Sequence, residues 1–300
     1  MERKLAWEDY SKEDMTKVYE FAEGYRKFIS ECKTERECVT EFVARAEKAG
    51  FLNLADAIKA GKALKAGDRV YVNNMGKWLA MFVIGNENLE NGMNILGAHI
   101  DSPRMDIKQN PLYEDTGLAM LDTHYYGGIK KYQWVTLPLA LHGVIAKKDG
   151  TTVKVSIGDK PEDPVFGVSD LLIHLSGEQM EKKGAKVIEG ENLDLLIGSI
   201  PLPSDDEKEK EQAKDAVKAN VLRILEETYG VCEEDFLSAE IEVVPAGAAR
   251  DYGFDRSMIM GYGHDDRVCA YPSFEAILNM DKPERTSVCL LVDKEEIGSV

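Results

Sequence analysis

Residues 290–300 read LLVDKEEIGSV. The apolar run of Val288, Leu290, Leu291 and Val292 has the length of a buried strand, and it leads straight into Asp293 and the adjacent acids Glu295 and Glu296. Upstream, strand-like and helix-like segments alternate, which predicts an α/β sheet. In such sheets ligands gather beyond the carboxyl ends of the strands, where these acids stand. Two carboxylates leaving a buried strand cost desolvation unless positive charge is close, and a metal ion supplies that charge. One carboxylate can then ligate while its neighbour takes a proton from metal-bound water. Two exposed acids on a surface loop remain the plainer account of the same letters.

Two other stretches have the same character. GAHIDSP, residues 97–103, closes a strand of residues 93–100. Residues i and i+2 share a strand face, so His99 could bind a metal while Asp101 supports it from behind. A histidine simply hydrogen-bonded at a strand end is the plainer account of this motif taken alone. HDDRVC, residues 264–269, sets His264, Asp265 and Asp266 in a loop before a helix. Either aspartate could cap that helix, and either could bridge two cations. Nitrogen and oxygen donors without thiolates suit Zn²⁺, Co²⁺ or Mn²⁺.

The remaining sequence frames these stretches. Ser11 caps a first helix whose stripe is Met15, Val18, Tyr19, Ala22, Tyr25, Phe28 and Ile29; Thr34 to Glu37 is a capping box before a second, with Val39, Phe42, Val43 and Ala46 inward. Residues 69–73 and 77–84 flank a hairpin turn at Asn74-Met75-Gly76. Residues 105–236 differ in texture, with short strands at 134–141 and 152–157. A further capping box follows at Ser204-Asp205-Asp206-Glu207. It opens a charged helix with the stripe Ala213, Val217, Val221, Ile224 and Leu225, ended by Gly230. A strand at 241–244 belongs to the returning α/β texture. The expected organisation is therefore one α/β domain, 1–104 plus 237–300, interrupted by an inserted, mainly β domain, 105–236.

Composition narrows the function. The 300 residues carry a net charge of −17, which argues against nucleic acid and anionic membrane as partners. No run approaches the ~20 apolar residues of a membrane span. Five scattered cysteines, with no CxxC pair, read as reduced thiols of a cytoplasmic protein. GxGxxG, Walker and GxSxG patterns are missing from these residues, so nucleotide and serine-hydrolase chemistry have no foothold.

Taken in order, GAHIDSPRMDIK, YYGGIKKYQW, PLALHGVI, LLIHLS, GHDDRVCAY and DKEEIGS resemble the M18 metallo-aminopeptidases, the aspartyl aminopeptidase and aminopeptidase I group. The resemblance runs through nearly the whole chain. It implies a zinc-exopeptidase-like mixed sheet flanked by helices, an inserted dimerisation domain, two Zn²⁺ per subunit (Co²⁺ or Mn²⁺ as substitutes) and peptide substrates. Motif by motif it assigns His99 as ligand of one metal, Asp101 as the acid supporting it, Asp265 as the bridging carboxylate, Glu295 as general base and Glu296 as the ligand beside it. His174 of LLIHLS resembles a histidine that reaches a neighbouring subunit's active site. His124, His142 and His264 match no ligand position.

The resemblance also implies a homo-oligomer, dimers building a tetrahedral dodecamer. It further implies that one more acidic ligand and one more histidine lie beyond Val300. Preference for an acidic N-terminal residue would need a basic pocket, for which Arg104, Lys130, Lys131 and Arg267 are candidates. A related metallohydrolase of the N-acyl amino acid deacylase type, and a non-catalytic assembly protein, are the competing readings.

Overall fold

The computed structural model describes residues 3–203 and 214–298. The capping pattern at Ser204-Asp205-Asp206-Glu207 and the stripe residue Ala213 lie outside the described residues. The chain divides into two compact units, residues 1–102 with 248–295 and residues 103–247 with 296–300.

The first unit opens with α1 (Lys12–Glu31) and α2 (Glu35–Lys48). Both begin with reciprocal caps. The Ser11 hydroxyl accepts from Asp14 N–H while the Asp14 carboxylate accepts from Ser11 N–H, and Thr34 and Glu37 repeat the arrangement. Each cap satisfies two backbone donors that a helix start leaves unpaired. The chain then forms β1 (Leu52–Asn53), α3 (Leu54–Lys59), β2 (Arg69–Asn74), β3 (Trp78–Val83) and β4 (Asn94–His99). The hairpin between β2 and β3 turns at Met75 and Gly76, both at positive φ, the backbone that a tight β-hairpin requires.

After β4 the chain enters the second unit. It forms β5 (Arg104–Asp115), β6 (Leu118–Tyr126), a short α4 (Lys131–Trp134), β7 (Leu139–Ala146), β8 (Thr152–Ile157), β9 (Gly167–Val168), β10 (Leu195–Gly198), α5 (Ala216–Tyr229) and β11 (Ala239–Pro245). These strands make a seven-stranded antiparallel sheet in the order β8-β7-β11-β5-β6-β10-β9. Its core includes Met105, Leu139, Leu193, Leu195 and Val243, all fully buried. α5 packs Val221, Leu222 and Leu225 against it and ends at Gly230 in the left-handed conformation.

Two expectations change here. The strand expected at 134–141 begins only at Leu139, because Trp134 belongs to α4 and Pro138, with no N–H, cannot donate to the ladder. The strand at 241–244, expected in the α/β part, is β11, paired with β7 and β5 inside the second unit's sheet. Strand patterning reports burial, and burial does not say which sheet a strand joins.

The return to the first unit brings β12 (Arg250–Tyr252), β13 (Met258–Met260), α6 (His264–Leu278) and β14 (Ser287–Val292). Its sheet has the order β1-β2-β3-β14-β4. Leu79, Met81, Cys289 and Leu291 point from it into a core shared with α1, α2 and α6. Three rings tie those helices together: Phe42 stacks on Phe28 at 4.7 Å and on Phe274 at 4.3 Å. Only the C-terminal half of the expected α1 stripe, Tyr25, Phe28 and Ile29, is buried. The first half, including Val18, Tyr19 and Ala22, lines an open cleft of about 820 Å³ beside β12 and β13.

One pairing decides where chemistry can occur. β14 runs parallel to β4, with Val292 opposite His99, and Ile100 N–H donates to Val292 O at 2.8 Å. Parallel neighbours end at the same sheet edge. The segment after His99 and the segment after Val292 therefore emerge side by side.

Candidate metal and catalytic centre

The site grows from that shared edge. His99 is the last residue of β4, and Nδ1 of its buried ring lies 2.9 Å from the Asp101 carbonyl oxygen. A carbonyl only accepts, so Nδ1 carries the proton and donates. Nε2 is left as the lone-pair nitrogen. It sits 3.2 Å from Asp265 Oδ1 and 3.6 Å from Glu295 Oε2. Asp101 is fully buried, its Oδ1 lying 3.3 Å from His99 Nδ1 and accepting from Glu295 N–H at 3.4 Å. One buried carboxylate thus supports the imidazole from behind and touches the backbone that carries Glu295.

Asp265 comes from a different element. Asp265 and Asp266 open α6 with non-helical torsions, and the peptide between them is cis. The Ser102 hydroxyl donates to Asp265 O at 2.8 Å, which ties this turn to the segment after β4. His264, one residue earlier, is committed to structure. Nε2–H donates to Ile259 O at 3.1 Å, and Nδ1 accepts from the Tyr25 hydroxyl at 2.8 Å.

Arg267 locks the arrangement. Its guanidinium is fully buried and donates to Ile100 O at 3.0 Å, Cys32 O at 3.2 Å and Lys33 O at 2.9 Å. Ile100 lies between His99 and Asp101, so one side chain joins the end of β4, the loop after α1 and the start of α6. Gly263 makes room for it. A Cβ there would stand 2.3 Å from Nη1 of Arg267, at a φ of +83° that side chains rarely adopt.

Electrostatically the centre is acidic and open. The Asp265 and Glu295 side chains are 85% and 61% exposed. Burial disfavours a charged His99, but the Asp101 carbonyl and the carboxylates of Asp101, Glu295 and Asp266 outweigh it, and the imidazole pKa rises above its ordinary 6.5. Burial, with Glu35 nearby, likewise pushes the Asp293 carboxyl up.

The donor set fits a metal such as zinc. Tetrahedral ligands at about 2.0–2.1 Å from Zn²⁺ lie about 3.3 Å from one another. The Nε2–Oδ1 separation of 3.2 Å matches that edge without rearrangement.

Glu296 follows Glu295 in the chain and is half-buried. A Cβ on Gly127 would stand 3.1 Å from the Cβ of Glu296, so the first glycine of YYGGIK is what admits that side chain. His174 lies in a short turn, Ile173–Leu175, of the second unit. It is exposed, and so are Leu172, Ile173 and Leu175 around it. His124 stacks on Tyr125 at 5.0 Å, and His142 Nε2 lies 2.9 Å from Asp159 Oδ2.

Two of the four basic-pocket candidates, Arg267 and Arg104, are committed to other partners. Arg267 is consumed by the three carbonyls above. Arg104 is buried against Glu242 at 3.1 Å, Asp106 at 2.8 Å and the Tyr126 ring. Lys130 is exposed, and Lys131 lies 5.6 Å from the Tyr125 ring. Reasoning from sequence missed Arg267 as a clamp. Its one signal was a strongly basic residue just inside a helix that otherwise buries apolar groups.

An imidazole and two carboxylates thus stand at the carboxyl edge of a helix-flanked sheet, the arrangement of a candidate metal site in an α/β protein. The model of one family, described as aminopeptidase I zinc metalloprotease (M18), matches residues 28–300, and the chain belongs to that family. A probable M18 family aminopeptidase 1 of Clostridium acetobutylicum is 62% identical over 299 residues, covering 100% of this chain and 63% of that protein. The crystal structure of aminopeptidase I from the same organism superposes with a TM-score of 0.89 at 61% identity, over 100% of this chain and 64% of that one. The M18 aminopeptidase crystal structure from Thermotoga maritima gives a TM-score of 0.90 at 48% identity, over 100% and 63%. The chain thus spans less than two thirds of the length of these relatives. No helix among the described residues is long and apolar enough to cross a membrane.

Proposed function

We propose that the intact protein is a zinc aminopeptidase that removes N-terminal residues from peptides. The observation that carries this reading is His99 Nε2 facing Asp265 Oδ1 and Glu295 Oε2 at 3.2 and 3.6 Å, on three separate segments. In this proposal His99 and Glu296 would each ligate a metal ion, and Asp265 would serve as the carboxylate shared between two. Two Zn²⁺ per subunit is the proposed stoichiometry, with Co²⁺ or Mn²⁺ as working substitutes. When bound, the metal acidifies water and polarises the scissile carbonyl.

The chain's own residues do the rest. Asp101 holds the Nδ1–H face of His99, which keeps Nε2 aimed at the cation. Glu295, mostly exposed and on the open side, takes the proton of the attacking water and returns it to the leaving amine. The second unit is proposed to serve dimerisation. The exposed apolar turn around His174 supports that role, with His174 acting at a neighbouring subunit's centre within a homo-oligomer. A cytoplasmic location accords with five free cysteines, of which Cys32, Cys38 and Cys289 are buried.

The decisive variant is Glu295→Gln in the intact gene product. Turnover of dipeptide and tripeptide substrates should fall by a factor of about 10²–10⁴, the weight of a general base, while bound zinc stays at the wild-type level. Wild-type turnover in that variant would remove Glu295 from the mechanism.

A further inference from the structure

We propose that Lys77 is a positioning residue for the Glu295 carboxylate, acting through Asp293. The proposal rests on the peptidase reading for its catalytic consequence, but its structural part stands alone. The ladder between β3 and β14 pairs Leu79 with Leu291. Extended by two residues, the same register sets Lys77 opposite Asp293, beyond the end of both strands. The Met75-Gly76 turn reverses the chain at that point and delivers Lys77 to the edge where Glu295 emerges.

The contacts follow this register. Lys77 Nζ is ion-paired with Glu35 and lies 3.7 Å from Asp293 Oδ2. Glu35 is fully buried at the first position of α2, and the Asp293 side chain is only 6% exposed. Two carboxylates in so little water require a cation between them, because removing one partner of a buried pair leaves an uncompensated charge. Lys77 supplies it from a side chain that is itself 13% exposed, whereas Lys294 Nζ, 3.4 Å from the same Asp293 oxygen, is 47% exposed and screened by solvent.

What Lys77 anchors is the start of the loop that bears the base. Asp293 Oδ1 accepts from Lys294 N–H at 2.8 Å. Lys294 has a φ of +75°, a conformation that an L-residue with a side chain holds only when its surroundings impose it. Glu295 N–H then reaches Asp101 Oδ1, and its carboxylate comes to 3.6 Å from His99. Releasing Asp293 frees the left-handed turn, and the direction of Glu295 goes with it. Lys77 touches neither substrate nor reacting atoms.

The test uses the intact gene product with Lys77→Met, Lys77→Arg, Asp293→Asn and the Lys77→Met/Asp293→Asn pair. Lys77→Met should lower kcat about 100-fold, the effect of a misplacement of roughly 1 Å, with KM and zinc content unchanged. Lys77→Arg should recover most of that loss. Independently of catalysis, trypsin should cut after Lys294 several-fold faster in the metal-free Lys77→Met protein, as the loop opens more often. Asp293→Asn should give the same acceleration, and the double variant no more. Wild-type kcat together with wild-type cleavage at Lys294 in Lys77→Met would overturn the proposal, as would additive acceleration in the pair. If Lys77→Met does not fold, Asp293→Asn decides on the same two readouts, wild-type kcat together with wild-type cleavage at Lys294 counting against the proposal. A wild-type protein without peptidase activity, but with the coupled cleavage effects, would sink the peptidase reading and leave the anchoring role intact.

Discussion

Nε2 of His99 lies 3.2 Å from Oδ1 of Asp265, although 166 residues separate them in the chain. Neither residue's local sequence contains that contact. It exists because β4 ends at the sheet edge where α6 begins, and because Arg267 on α6 holds the carbonyl of Ile100.

Zinc affinity should depend on pH through His99. Against the opposing effect of burial, the Asp101 carbonyl and then the surrounding carboxylates hold the pKa of the metal-free imidazole above 6.5. A raised folded pKa means that protonated His99 stabilises the metal-free protein below its unfolded pKa, an effect lost as pH rises through the folded value. A metal must displace that proton. Affinity measured by chelator competition should therefore weaken, with proton release, as pH falls through a value above 6.5. Constant affinity down to that pH would contradict the assignment of Nε2 as a ligand.

Arg267→Met should cost about 3 kcal/mol or more in denaturant unfolding of the metal-free protein, since it strands three buried carbonyl oxygens. Bound zinc should fall as well, because the same fork aligns His99 with Asp265. A loss of under ~1 kcal/mol would show that the clamp is replaceable.

Phe42→Ala should destabilise the first unit by about 3–5 kcal/mol, since Phe42 is fully buried between two stacked rings. Zinc bound per folded molecule should be unchanged, because none of these rings belongs to the metal centre. Thermal unfolding with metal analysis separates the two effects.

His174→Ala should lower turnover without lowering zinc content. Mixed with the inactive Glu295→Gln chain and allowed to reassemble, it should regain activity, because some sites then combine an intact His174 with an intact Glu295. No recovery on mixing would place His174 outside any shared site.

Much of the local structure was legible in the residues. Capping boxes at Ser11 and Thr34, the turn at Met75-Gly76 and the buried strand before Asp293 all obey rules that act within a few residues. His99 and Asp101 declared themselves by an i, i+2 spacing, and Glu295 by its place after an apolar run. The strand expected to start at Trp134 was illegible because a helical turn and a short apolar strand look alike over so few residues. Arg267 was misjudged for a related reason. A basic side chain reads as solvent-seeking unless the carbonyls that satisfy it are visible, and Cys32, Lys33 and Ile100 are remote in sequence.

By itself, then, the sequence determined which segments become helix or strand, which side chains carry nitrogen and oxygen donors, and the family to which they belong. Only the tertiary structure decided that β14 lies parallel to β4, that β11 joins the second unit's sheet, and that Lys77 faces Asp293. Caps and periodicities are satisfied within one or two turns of chain. Strand partners and buried ion pairs are chosen by the whole core, whose apolar burial fixes the register before any distant polar atoms can meet.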